Sequence, residues 1–328
     1  MKAKRHLLPA VAAMLFLTEA SAQSLQSSME FLKYPVSAHQ AALGGQAVSA
    51  ADRSASQFLA NPALLSEVES GMVGLNAMTW IGNTVIAGAQ YGNSLGERTM
   101  YGFSARYVDY GSSARTLPDA TVTGTFSSKD MAVGISCSYM FTDNLSGGAT
   151  GNLIFSHYAS MTAASVGIDL GLYWNNPDKG LSLAIAARNL GGQIKAFENE
   201  FQRMPFDLTA GISWKMEHSP LRLTATLDGL TDWDEEDFYF PDGHGAGKGQ
   251  ILRRHFSFGA DFMLTDCLYV AGGCNLRTRD ELSGDGSKGL TGFSAGTGLR
   301  LSRMSFDLSV GKYQISHSSM VFNFAFKL

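Results

Sequence analysis

Most of this chain alternates between apolar and small or polar side chains, in segments of about ten residues. Side chains on alternating faces are the signature of a β-strand. In the last segment Met320, Phe322, Phe324, Phe326 and Leu328 oppose Val321, Asn323, Ala325 and Lys327. In "HFSFGADFML", Phe256, Phe258, Ala260, Phe262 and Leu264 oppose Ser257, Gly259 and Asp261. The same pattern runs through "SVGIDLGLYW", "FDLTAGISWK", "MAVGISCSYMF", "YGFSARYVDY" and "LRLTATLDGL". Each segment thus has one oily face and one face rich in Gly, Ser, Thr, Asp or Arg.

An oily strand face is covered either by a second protein layer, as in a sandwich, or by lipid. Three features favour lipid. The segments are long enough for a tilted strand to cross a bilayer. Charged residues are only 16% of the chain, and 36 glycines suit a close-packed inner face. Trp80, Tyr107, Tyr139, Phe141 and Trp174 fall near segment ends, as interfacial girdles do. After Gln23 no apolar run approaches the roughly 20 residues of a membrane helix. A mature chain that enters a membrane must therefore close on itself as a barrel.

The N-terminus reads as a secretory leader, residues 1–22. "MKAKRH" is basic, "LLPAVAAMLFL" is apolar, and "ASA" precedes Gln23 as a cleavage site. A leader followed by barrel strands implies a bacterial outer membrane. The net charge of −4 gives no reason to expect a nucleic-acid partner.

The connections support this reading. "TDN", "NNPDKG", "EHSP", "TDC" and "LSRM" are short. Between them fall "HYASM", "GGQIKAFENEFQRM", "TDWDEEDFYFPDGHGAGKGQ", "TRDELSGDGSKG" and "QISHS". Short and longer connections alternate around outer-membrane barrels, the short ones facing the periplasm. Gly111–Asp130 is expected to be a single extracellular excursion with a small hairpin of its own. The expected fold is all-β: a transmembrane antiparallel barrel of about fourteen strands, residues 71–328, with both ends of the wall in the periplasm.

The segment before the wall, residues 23–70, does not alternate. "SAHQAALGGQAVSAADRSASQFLANPALL" is rich in small residues, with Leu43, Phe58, Leu59, Leu64 and Leu65 near helical spacing. Asp52 or Ser54 is a candidate cap for a short helix running to Ala60. Asn61-Pro62 ends that helix, and Pro62 suits the first turn of a second. The wall is already complete without this segment, so it is expected to fold into the lumen as a short helical hatch.

These residues carry a resemblance. A leader, a hatch with the turn Asn61-Pro62-Ala63 and about fourteen strands resemble the long-chain fatty-acid-transporter type of outer-membrane barrel. Within that group, the ordered blocks "FLKYPVSAHQAALGGQAVS", "SSKDMAVGISCSY", "GLYWNNPDKGLSLAIAARNLG", "PFDLTAGISWKMEHSPLRLT", "LRRHFSFGADF" and "KGLTGFSAGTGLR" resemble PorQ-type proteins of the type IX secretion system. The resemblance implies a non-enzymatic component of the attachment complex. Its implied partners are PorV, PorU and PorZ-like proteins, outer-membrane lipid and lipopolysaccharide. The C-terminal "FKL" departs from the terminal Phe of many such barrels, though the alternation is kept.

Little in the sequence suggests catalysis or metal binding, and no cofactor is expected. His157, His244 and His317 fall in loops, and Ser318 and Ser319 beside His317 are neighbours only in sequence. Asp232, Asp234, Glu235, Glu236 and Asp237 lack EF-hand spacing. "GHGAGKG" lacks the Gly and Ser/Thr positions of a phosphate loop and reads as a flexible segment. Cys137, Cys267 and Cys274 read as small apolar residues, the last two on one strand and too far apart to pair.

The interleaved run Trp233, Asp234, Glu235, Glu236, Asp237, Phe238, Tyr239 and Phe240 suits a protein contact. The leading expectation is thus a barrel that presents loops to surface partners. The alternative is a channel for hydrophobic small molecules such as long-chain fatty acids. An inner face that is mostly Gly, Ser, Thr, Asp and Arg weighs against the alternative. An open porin is the third reading, and a hatch opposes it.

Overall fold

The computed structural model describes residues 29–52, 54–119, 121–197, 201–240, 247–282, 289–314 and 317–328. The expected leader and His244 lie outside these residues.

The alternating segments form β1 (Met72–Thr79), β2 (Val85–Ser94), β3 (Thr99–Thr116), β4 (Val122–Thr142), β5 (Leu145–Tyr158), β6 (Met161–Asn176) and β7 (Leu181–Lys195). They continue as β8 (Asp207–Lys215), β9 (Leu221–Leu227), β10 (Phe256–Met263), β11 (Leu268–Asn275), β12 (Phe293–Arg300), β13 (Met304–Gly311) and β14 (Ser319–Lys327). Each strand pairs antiparallel with its sequence neighbour, and β1 pairs with β14 to close a fourteen-stranded barrel. Closure leaves no unpaired edge, the condition for a wall in lipid. No helix among the described residues is long and apolar enough to cross a membrane.

The two faces of each strand separate as the period-two pattern demands. Ile135, Ile168, Ile212, Phe258, Leu308 and Phe322 point outward and are exposed, while their neighbours Ser136, Asp169, Ser213, Ser257, Asp307 and Asn323 are buried inside. Cys137 shares the outer face with Ile135, and Cys267 and Cys274 are likewise unbridged. Beside the closing seam Phe306 of β13 and Phe324 of β14 lie side by side, ring centroids 4.8 Å apart.

One end of the barrel carries the short turns and both ends of the wall. The other carries the longer loops, except that β5 and β6 are joined by the two residues Ala159 and Ser160, so "HYASM" is a tight turn and not the longer connection expected. Gly111–Asp130 is no separate wall element. β3 and β4 simply continue above their neighbours, with a bulge between Asp109 and Ser112 where Gly111 takes φ 75°. Residues 122–126 of "ATVTGTF" are therefore the upper part of β4, and the strand count stays even.

Residues 29–52 and 54–70 fill the lumen. Ser37 caps α1 (Ala38–Ala42) by accepting a hydrogen bond from the Gln40 amide. Ser54 caps a 3-10 turn, Ala55–Leu59, and Asn61 caps another, Pro62–Glu67, with Pro62 at its first position. The expected caps and the Pro62 break are present, but these turns are 3-10 and not α-helical, and α1 was not foreseen. Phe58, Leu65 and Val68 pack on Met72, Met100 and Ala325 at the short-turn end.

Candidate functional site

The hatch is held by glycines and by buried polar contacts. At Asn61-Pro62-Ala63 the backbone presses on β5 and β6. A Cβ on Gly148 would overlap Pro62, and one on Gly171 would overlap the Asn61 side-chain oxygen. Asn61 is wholly buried. Its Nδ2 donates to the carbonyls of Val48 (3.2 Å) and Leu172 (3.3 Å), and its Oδ1 accepts from the Ala63 amide (3.0 Å). The expected hatch turn is thus a docking point against the wall. On the opposite wall the end of α1 nests on β10, where a Cβ on Gly259 would lie 2.7 Å from Leu43 Cβ.

A second anchor is a buried charge cluster that sequence reasoning missed. His39 of α1 contacts Asp261 of β10 (Nε2–Oδ1 2.8 Å) and Asp52 (Nδ1–Oδ2 3.2 Å). Arg222 of β9 completes it, donating to Asp261 (2.7 Å) and to the Ala51 carbonyl (2.9 Å). Burial alone would lower the His39 pKa, but the two carboxylates outweigh it and hold it above the ordinary imidazole value. Burial would likewise raise Asp52, and His39 more than reverses that, holding it below the ordinary carboxyl value. Asn323 of β14 adds two more ties, accepting from the Ala38 amide (2.7 Å) and donating to Ser56 (2.9 Å).

Above the hatch the inner face changes character. Met78, Ile86, Val108, Ile154 and Val321 point inward and pack with Met29, Phe31 and Ala41. The expectation of an inner face that is mostly Gly, Ser, Thr, Asp and Arg is corrected in part: it holds beside the hatch, whereas one side of the long-loop half of the lumen is apolar. These residues alternate with apolar outer neighbours near strand ends, so period two alone did not distinguish them.

This apolar half opens into a cavity of about 540 Å³. Tyr110, Phe126, Tyr158, Met161, Phe197 and Met29 form most of its wall, with Asp130, His157 and three serines as its polar members. The Phe126 and Tyr158 rings meet edge to face at 5.3 Å. Tyr110 donates to Asp130 Oδ2 at 2.6 Å. Next to Phe197 the wall loosens. A bulge on β7 opposite Asp169 sets Asn189 at φ 59°, and the β7–β8 ladder ends at Arg188–Asp207, with the isolated bridge Gly192–Arg203 beyond it among the described residues.

A smaller, polar cavity of about 190 Å³ lies among Lys33, Arg188, Asp207, Asp228, Asp232 and Arg277. Burial and the neighbouring Asp207 carboxylate push the Asp228 carboxyl up to about 7.

The aromatic-acidic loop is only partly free for a partner. Phe238 is buried, edge-on to His255 (5.5 Å) and under Arg277 (4.6 Å). Phe240 lies under Arg254 (4.1 Å), and Trp233 stacks on His255 (4.5 Å). Asp232 pairs with Arg277 (3.3 Å), and the Asp234 amide donates to Asp237 (3.1 Å). Half of Trp233 and most of Tyr239 remain exposed. The loop therefore roofs the rim before it can offer anything outward, a role that its composition did not reveal.

No protein-family model matches the chain, nor does any curated protein. Solved structures do. The CymD monoaromatic hydrocarbon channel matches with a TM-score of 0.60 at 16% identity, over 92% of this chain and 99% of that one. The Pseudomonas putida toluene transporter TodX matches with a TM-score of 0.57 at 16% identity, over 89% and 97%. A Pseudomonas aeruginosa FadL homologue matches with a TM-score of 0.52 at 12% identity, over 89% and 97%. At such identities the likeness is one of fold: the chain is similar in fold, over nearly its whole described length, to hydrocarbon channels of the FadL type.

Proposed function

We propose that the protein is an outer-membrane channel that admits small hydrophobic molecules and has no enzymatic activity. The observation that carries this reading is the apolar cavity of about 540 Å³ above a plugged lumen. An open porin needs a wet, continuous passage, whereas here the hatch fills the short-turn half. A cavity of this size lies in the range of small-molecule sites. The loosened β7–β8 seam beside Phe197 offers an apolar solute a way out of the lumen without crossing the hatch. The fold shared with monoaromatic hydrocarbon channels adds support by analogy.

The test is uptake of a labelled monoaromatic by cells carrying the protein and by cells lacking it. The lipopolysaccharide leaflet keeps background entry low. Uptake that depends on the protein, and falls when Phe126→Asp polarises the cavity, supports the reading. Equal uptake by both cell types removes it.

The attachment-complex role implied by the PorQ-type sequence blocks stands as a second reading. The exposed Trp233 and Tyr239, set among acids on the rim, favour it. Its partners would be PorV, PorU and PorZ-like proteins together with lipopolysaccharide. Recovery of such partners from native membranes, lost on changing both Trp233 and Tyr239 to Ala, is the corresponding test.

A further inference from the structure

The cavity at the long-loop end has an asymmetry of charge that bears on which hydrophobic molecules it takes. Among the described residues its lining contains one carboxylate, Asp130, one imidazole, His157, and neither lysine nor arginine. Asp130 sits on the inner face of β4, directly below Ser128 and Phe126. Its one hydrogen bond among the described residues comes from the Tyr110 hydroxyl, and it forms no ion pair there. Tyr110, Phe126 and Tyr158 place three aromatic rings around the same space. Lys33, Arg188 and Arg277 line the separate polar cavity, whereas Lys129 pairs across the ladder with His157 and Lys195 Nζ donates to Thr162 Oγ1 at 2.6 Å.

We infer that this cavity selects hydrophobic molecules bearing a positive charge, small aromatic or alkyl amines, with Asp130 as counter-ion and the three rings as cation-binding faces. An ammonium in an aromatic-walled site gains from the ring quadrupoles and from the opposite charge. A carboxylate of the same shape meets a like charge there, and among the described lining residues only His157 carries a basic group to offset it. The hydroxyls of Ser113, Ser128 and Ser156 accept the remaining ammonium hydrogens. This inference deepens the channel reading and rests on it for the ligand's entry, but binding is measurable without transport.

The experiment is calorimetric titration of the purified full-length protein in a neutral maltoside detergent. Three short probes of matched shape are used: 4-phenylbutylamine, 4-phenylbutanol and 4-phenylbutanoate. The expected order is amine, then alcohol, then carboxylate, with the amine at least ~10-fold tighter than the carboxylate. Asp130→Asn should bring the amine close to the alcohol and leave the alcohol unchanged. Asp130→Glu should keep the preference, which separates lost charge from lost fold. Phe126→Ala should weaken amine and alcohol together. Equal binding of all three probes, tighter binding of the carboxylate, or an amine preference that survives Asp130→Asn would overturn the inference. Binding by no probe would overturn it too. Uptake of a neutral monoaromatic by cells, scored separately, then decides whether the channel reading falls with it.

Discussion

His39 Nε2 lies 2.8 Å from Asp261 Oδ1, with both side chains inaccessible to solvent, although 222 residues separate them in the chain. This contact joins the lumen segment to the wall and ties the plugged state to the ionisation of a few groups.

The tie should depend on pH with a defined sign. The His39 pKa is raised above its ordinary 6.5, so its contribution is full below 6.5 and is lost as pH rises through the higher, docked value. The Asp52 pKa is lowered below its ordinary 3.8, so its contribution is present above 3.8 and is lost as pH falls through the docked value. Amide exchange over residues 38–52, corrected for intrinsic rates, should be slowest between 3.8 and 6.5 and should quicken on the alkaline side. His39→Gln should abolish the alkaline limb. A flat profile in the native protein would contradict this assignment.

Gly171 is the narrowest point of hatch docking, because a Cβ there meets the Asn61 side chain. Gly171→Val should cost about 1–3 kcal/mol, as overpacking does, and should free residues 61–67 while the wall stays heat-modifiable. Gly151→Val is the control, since a Cβ at Gly151 meets nothing within 4 Å. Exchange rates for 61–67 that rise equally in both variants would show that the docking is not steric.

The rim should respond to pH through Asp228. Its carboxyl pKa is raised from the ordinary 3.8 to about 7, so folding loses stability as pH climbs between those values. Asp228→Asn should raise the thermal midpoint in detergent above pH ~7 and change little below pH ~4. The comparison of melts at those two pH values checks it.

Within the roofing loop, position should decide the outcome of substitution. Phe238→Ala opens a buried packing site, and losses of about 3–5 kcal/mol are typical of such changes. It should loosen the loop and expose His255 to solvent, read as faster exchange at residues 254–256. Tyr239→Ala removes a side chain that is 65% exposed, and should leave the melt unchanged. Destabilisation by Tyr239→Ala equal to that by Phe238→Ala would mean that the loop packs differently.

The wall was legible because period two reports directly on a two-sided environment. Phe256, Phe258 and Phe262 announced an oily face, and short turns such as Thr142–Asn144 fixed the parity of the count. Asn61-Pro62 was legible because proline restricts both itself and its predecessor. Ser37 was passed over because five residues of α1 give too short a period to detect. The His39–Asp261–Arg222 cluster was invisible because it joins three elements distant in sequence. The apolar upper lumen was missed at Met78, Ile86 and Val108, where inner and outer faces are both apolar and alternation fades. Trp233 and Phe238 were read outward because composition cannot say which side of an exposed loop a ring turns to.

In the channel proposed above, the lumen excludes water-soluble solutes and passes apolar ones. The most direct measurement of this is the ratio of uptake rates for a labelled monoaromatic and a labelled sugar in cells with and without the protein. Protein-dependent entry of the aromatic and no protein-dependent entry of the sugar are expected. Protein-dependent entry of the sugar, or of neither solute, would contradict the channel reading.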